Sequence, residues 1–278
     1  MSVVKDRKKV TVATIARMKS RGERIAVLTA YDYFTARLLD EAGVDILLVG
    51  DSAANVIHGF HTTLPMTMDI MVAHTAAVAR GNRKALIIAD MPFLSYQSSI
   101  RVAIENAGRF LSEGGAEGVK VEGGIEMVPT AKRLVECGIP VMGHIGLTPQ
   151  SINRIGGPKI QGKNKESRSY LLESALALEE AGCFSMVLEL METETAGEIT
   201  AALKSCATIG IGAGPKCDGQ VLVINDILGL REPDFTPKFL REYANLSPII
   251  GDAARRYVED VRSGSYPNED ESFGTPKK

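Results

Sequence analysis

The segment ALIIADMPFLSYQSSIRVAIENAGRFLSEGGAEGVKVEGG, residues 85–124, holds two short, mostly apolar runs, Ala85–Ala89 and Gly118–Val121, on either side of an amphipathic stretch. Between them Ile100, Ala103, Ile104, Ala107 and Leu111 recur at helical spacing and form one apolar face. A strand buried on both faces reads as a continuous apolar run and not as an alternation, and a helix with a single apolar stripe covers one such face. The segment therefore predicts strand, crossover helix and parallel strand.

Working outward, the same unit repeats. Strands are predicted at Ile25–Thr29 and Ile46–Val49 on the N-terminal side, and at Val141–Gly143, Ser185–Leu188, Ala207–Ile211 and Val221–Ile224 on the C-terminal side. Helical patterns lie between them: Phe34, Leu38, Leu39 and Ala42 share a face, and Met68–Arg80, Met127–Glu136, Glu166–Ala181 and Thr193–Lys204 follow. Two of these helices end in an Ala-Gly step, Ala42-Gly43 and Ala181-Gly182, suited to a left-handed cap. Eight strand–helix units favour closure, so the fold class is α/β, a (β/α)8 TIM barrel. A short helix at Thr14–Arg21, after a basic leader, precedes the barrel. A Pro-containing connection from Pro233 and a helix at Pro248–Arg262 extend it. The expected organisation is one domain over residues 1–262 and a disordered, Gly-, Ser-, Pro- and charge-rich tail over 263–278.

The charge balance, 32 basic against 34 acidic side chains for a net −2, is scattered without basic stripes, so nucleic acid is not an expected partner. No apolar run approaches the roughly 20 residues that span a bilayer, and the N-terminus has no secretory apolar stretch, which predicts no membrane association and a cytoplasmic location. Cys137, Cys183, Cys206 and Cys217 make no CxxC pair and no Cys/His metal spacing. They are expected as free thiols, the first three packed at helix ends or strand starts and Cys217 in a Gly-rich loop.

Parallel barrels carry their chemistry at the C-terminal ends of the strands. Those ends read Gly50-Asp51-Ser52, Asp90, Lys120-Val121-Glu122, His144 and Glu189, so five consecutive strands deliver an ionisable group to one rim. Taken singly, an Asp after a strand is more often a cap or turn residue. On residue type alone, His144 also reads as a satisfied strand-end histidine, Lys120 as an ion-pair partner of Glu122, and Tyr31 as a packing aromatic. Together, Asp51, Asp90 and Glu122 need a cation in a shared pocket, and hard oxygen ligands select Mg2+.

The ordered strings TAYD (29–32), VGDS (49–52), ADMPF (89–93), KVEG (120–123), GHIGLTPQ (143–150), GIGAG (210–214) and DGQ (218–220) resemble ketopantoate hydroxymethyltransferases over about residues 29–252. The resemblance implies that Asp51 and Asp90 hold one Mg2+ per subunit, with Glu122 completing the shell directly or through water. It implies that Ser52 and Lys120 hold the carboxylate of the substrate 2-oxoisovalerate, that Asp51 and Asp90 also border that substrate, and that Tyr31 lines the site. Glu189 is implied as catalytic base and His144 as a hydrogen-bonding group at the reacting centre. The one-carbon donor implied is 5,10-methylenetetrahydrofolate, and the assembly a homodecamer. One departure stands out: the family's proline three residues after the glutamate is replaced, the chain reading Glu189-Leu190-Met191-Glu192. Two other readings compete: a Mg2+-dependent enolate enzyme of the phosphoenolpyruvate mutase/isocitrate lyase kind, whose Cys-containing loop has no counterpart here, and a non-catalytic barrel that binds an oxo acid or a partner protein.

Overall fold

Strands β1 (Ile25–Thr29), β2 (Ile46–Val49), β3 (Leu86–Asp90), β4 (Gly118–Glu122), β5 (Val141–Gly146), β6 (Ser185–Glu189), β7 (Ala207–Ile211) and β8 (Gly219–Leu222) pair in sequential order, all parallel, and β8 returns to β1. The computed structural model describes residues 7–231 and 236–274, so the start of the basic leader, Pro233 and the last four tail residues lie outside the described residues. The chain divides into one unit of residues 1–224 with 237–239 and a second of 225–236 with 240–278.

In the first unit the helices are α1 (Val12–Ser20), α2 (Tyr33–Ala42), α3 (Ala53–Val56), α4 (Met68–Gly81), α5 (Ile100–Ser112), α6 (Val128–Glu136), α7 (Ile152–Ile155), α8 (Lys165–Glu180) and α9 (Thr193–Ala202). Their starts are set by side-chain caps: Thr11 for α1, Asp32 for α2, Thr67 for α4, Ser99 for α5 and Asn164 for α8 each accept from the backbone N–H three residues on. Gly43 and Gly182, at φ 94° and 96°, take the left-handed conformation expected of the two Ala-Gly steps. The barrel interior is filled by alternate strand residues, Ile25, Val27, Ile46, Leu48, Leu86, Ile88, Met142, Val187, Ile209 and Val221, and Val10 and Ile15 of the N-terminal segment join that cluster.

The second unit contains α10 (Ile224–Ile227), which begins at its boundary, and α11 (Leu246–Ser263). The Tyr243 and Ala244 amides donate to Ile227 O, and Arg231 pairs with Glu242 at 3.3 Å. No residue of α11 is buried.

Three expectations need correction. β5 runs three residues past Gly143, because His144 and Ile145 continue the ladder to β6 although a histidine and two glycines weaken the apolar signal. β8 starts at Gly219, two residues early, where its backbone pairs with both Ile25 and Ile209, and Ile224 instead opens α10. Cys137 is exposed at the end of α6 and not packed, unlike Cys183, Cys206 and Cys217.

Candidate active site

Three of the ionisable strand-end residues continue the inward rows of their strands. Asp90 follows Leu86 and Ile88, His144 follows Met142, and Glu189 follows Val187, each two residues beyond a core side chain. The period of two that buries the lower residues aims the last one into the mouth. Register completes the grouping: Asp90 lies opposite Lys120, Glu122 opposite His144, and Gly146 opposite Glu189. Gly146 has φ +99°, and a Cβ there would collide with the Glu189 carbonyl, so only glycine lets β5 pass this close to the proposed base. Asp51 is off the strand, in the turn between β2 and α3, where its amide donates to Asp90 Oδ2 at 3.0 Å.

The side chains form a continuous buried array. Lys120 Nζ lies 3.4 Å from Asp90 Oδ2, 3.9 Å from Glu122 Oε1 and 3.0 Å from His144 Nδ1. His144 Nδ1 is 3.4 Å from Glu122 Oε1, and its Nε2 is 3.1 Å from Glu189 Oε2, though off the line of a hydrogen bond. Glu189 is the most open of these acids, its side chain 19% exposed against 4% for Glu122. Ser52 Oγ is 2.9 Å from Tyr31 OH, so the buried Tyr31 contributes by holding Ser52.

Burial, then the charges of Asp90 and Glu122, push the Asp51 carboxyl up to about 8. Burial likewise raises Asp90 although Lys120 opposes it. Burial would raise Glu122 too, and Lys120 and the Gln150 amide oppose it. Lys120 is desolvated, which disfavours its charge, yet the surrounding Asp90, Glu122, Asp51 and Glu189 keep it firmly protonated. For His144, burial and Lys120 lower the pKa while Glu122 and Glu189 raise it, to about 9. That net rise conflicts with the 3.0 Å approach of the Lys120 ammonium, since two N–H donors cannot share one line. The contact decides: Lys120 donates to Nδ1, and the ring is neutral with its hydrogen on Nε2, toward Glu189.

The donor set fits a hard cation. Asp90 Oδ1 is buried without a hydrogen-bond partner, beside an Asp51 whose anion is disfavoured by its neighbours. Among the described residues no group of three or more Asp, Glu, His or Cys side chains is placed to hold a metal ion. Mg2+ does not require such a group, because it keeps several waters and takes one or two carboxylates plus substrate oxygens.

All eight expected site residues therefore line or support one mouth. The sequence reading passed over Gln150 and Tyr96, both buried in the same array. Gln150 bonds Asp51, Glu122 and Tyr96. A neutral amide after Thr-Pro reads as a turn residue, and its only signal was the final letter of the GHIGLTPQ string.

The family model for ketopantoate hydroxymethyltransferase matches residues 9–269. The 3-methyl-2-oxobutanoate hydroxymethyltransferase of Syntrophus aciditrophicus (strain SB) is 52% identical over 98% of this chain and 100% of its own length. The one from Pelobacter propionicus (strain DSM 2379 / NBRC 103807 / OttBd1) is 55% identical over 96% of this chain and 98% of its own. Among solved structures, the phosphoenolpyruvate phosphomutase of Streptomyces platensis subsp. rosaceus superposes with a TM-score of 0.60 at 13% identity, covering 95% of this chain and 92% of that one. That likeness is one of fold alone and carries no chemistry to this chain. With strong identity along nearly its full length, the chain belongs to the ketopantoate hydroxymethyltransferase family of enzymes.

Proposed function

We propose that this enzyme transfers the one-carbon unit of 5,10-methylenetetrahydrofolate to C3 of 2-oxoisovalerate, giving ketopantoate and tetrahydrofolate for pantothenate and coenzyme A synthesis. The observation that carries the reading is the convergence of Asp51, Asp90, Lys120, Glu122, His144 and Glu189 on one barrel mouth, in a chain whose relatives bear that enzyme's name.

Asp51 and Asp90 would hold Mg2+, with Glu122 reaching it directly or through water, and the bound ion would polarise the oxo-acid oxygens and acidify the C3 proton. Lys120, cationic and buried, and the Ser52 hydroxyl would orient the substrate carboxylate by charge-assisted hydrogen bonds. Glu189 sits at the open side of the array, where it would take the C3 proton as general base. His144, presenting Nε2–H toward Glu189, would orient that carboxylate before the transfer and steady the new hydroxyl afterwards. Hydrolysis of both carbon–nitrogen bonds of the bridging methylene returns tetrahydrofolate and frees the one-carbon unit at the formaldehyde level. The C3 electron pair left by proton removal adds to that carbon, its oxygen takes the proton held by Glu189, and a hydroxymethyl group results on C3. We further propose a cytoplasmic homodecamer; among the described residues no helix is long and apolar enough to cross a membrane.

The test is to incubate the protein with 2-oxoisovalerate, methylenetetrahydrofolate and Mg2+ and assay ketopantoate. In D2O without folate, slow Mg2+-dependent deuterium uptake at C3, suppressed by EDTA, is the expected partial reaction. Glu189→Gln should bind the oxo acid but lose that exchange by about 10²- to 10⁴-fold. Undiminished exchange would move the base elsewhere, and no ketopantoate under any condition would refute the assignment.

A further inference from the structure

Gln150, 6% exposed in the 3-10 turn Pro149–Ser151 after β5, uses every hydrogen-bonding group of its amide. Nε2 donates to Asp51 Oδ2 and to Met91 O, each at 2.9 Å. Oε1 accepts from Tyr96 OH at 2.8 Å and from Gln97 Nε2 at 2.9 Å. Its backbone N–H donates to Glu122 Oε2 at 3.0 Å. The amide has one possible orientation, since the Met91 carbonyl beside Nε2 can only accept. Tyr96 is committed as well: its oxygen accepts from the Glu122 amide at 2.9 Å, which leaves its hydrogen for Gln150.

Gln150 thus ties the turn after β2, the segment after β3 and the end of β4 to the turn after β5: its neutral side chain holds one oxygen of Asp51, and its backbone N–H holds one oxygen of Glu122. A lysine or arginine here would neutralise Asp51; an amide fixes its rotation and leaves its charge available. We propose that Gln150 is a positioning residue that clamps Asp51 and Glu122, fixes which of their oxygens face the mouth, and thereby sets the affinity for the divalent cation. This rests on the metal reading of Asp51 and Asp90 given above. Residues that orient metal ligands from behind typically alter metal affinity by about 10- to 100-fold.

The experiment measures binding of Mn2+, a paramagnetic stand-in for Mg2+, to the full-length protein by electron paramagnetic resonance, with near-UV circular dichroism as the control for packing. Gln150→Met keeps length and burial but removes all four side-chain bonds, and should weaken Mn2+ by about 10- to 100-fold. Tyr96→Phe removes one support of the clamp and should weaken it a few-fold, which keeps the idea testable if Gln150→Met does not fold. In both variants the KM for methylenetetrahydrofolate should stay unchanged while the Mg2+ concentration for half-activation rises. Wild-type Mn2+ affinity in a folded Gln150→Met, or in Tyr96→Phe if that is the variant that folds, overturns the clamp alone. Absence of saturable Mn2+ binding in the wild type overturns the metal reading and the clamp with it.

Discussion

Asp51 ionises at about 8 in the folded protein because burial and two neighbouring carboxylates disfavour its anion, against an ordinary value of 3.8. Between those values the folded, metal-free protein holds a proton that the unfolded chain has released. Stability from this group is therefore fully present below about 3.8 and is lost as pH rises through about 8. We expect the thermal midpoint of the protein in EDTA to fall from pH 6 toward pH 8.5 more steeply than in Asp51→Asn, which carries no titrating group there. Mg2+ should flatten the wild-type slope, since a cation supplies the charge that the proton otherwise neutralises. Differential scanning fluorimetry across that range checks both, and equal slopes for wild type and Asp51→Asn would refute the electrostatic account. At turnover, Asp51→Ala and Asp90→Ala should each abolish Mg2+-dependent product formation in a folded barrel, because both stand at the mouth and not in the hydrophobic cluster beneath it; wild-type metal dependence in folded variants would remove the metal assignment.

At the level of the element, the loop after β6 explains how the chain manages without the family's usual proline. Glu192 has φ −59° and ψ 133°, a conformation that proline also adopts, and it caps α9 by accepting from Thr195 N. Its own amide donates to Gln161 O, and Arg168 pairs with its carboxylate at 3.3 Å. Hydrogen bonds thus do here what a rigid ring does elsewhere, so Glu192→Pro should keep Glu189 in place and cost only about 1–2 kcal/mol through the lost cap and amide bond. Leu190 is the sensitive position. It holds φ +43°, strained for leucine, and its amide bonds Ile211 O. Leu190→Pro cannot reach that φ and has no N–H, so it should reduce C3 exchange by more than tenfold, while Leu190→Gly should not; equal effects of the two would separate the strain from the placement of the base. These details were not legible in the sequence, because a positive φ at leucine has no local signature and the hydrogen bond from Glu192 to Gln161 spans another loop. What was legible follows from short-range patterning: seven of the eight strands start where their apolar runs do, to within one residue, and Asp90, His144 and Glu189 could be placed because they extend the inward rows. The start of β8 escaped because Gly219 and Gln220 carry no apolar signal, and Gln150 because it acts only through the partners that folding brings to it.

For the molecule as a whole, α11 is the element that its own chain does not account for. It is 18 residues long with no buried residue, and Ile250, Tyr257, Val258 and Val261 recur on one side at helical spacing, each at least 40% exposed. Helices of this length draw most of their stability from burying such a stripe, since propensity alone leaves them marginal in water. Gly251 within the helix lowers that propensity further. An uncovered stripe of this kind is a surface that the homo-oligomer proposed above would cover. Light scattering coupled to size exclusion should therefore give an assembly of several chains at micromolar concentration. Val258→Glu should lower the mass observed, because an unpaired carboxylate in an apolar contact is strongly disfavoured. Arg256→Glu, a larger charge change off the Ile250–Val261 stripe, should not. Helicity should fall together with mass in Val258→Glu, as a stripe that loses its cover can no longer hold the helix. A monomeric wild type with an intact α11, or equal behaviour of the two variants, would show that this face is stable in solvent and that assembly, if any, uses another surface.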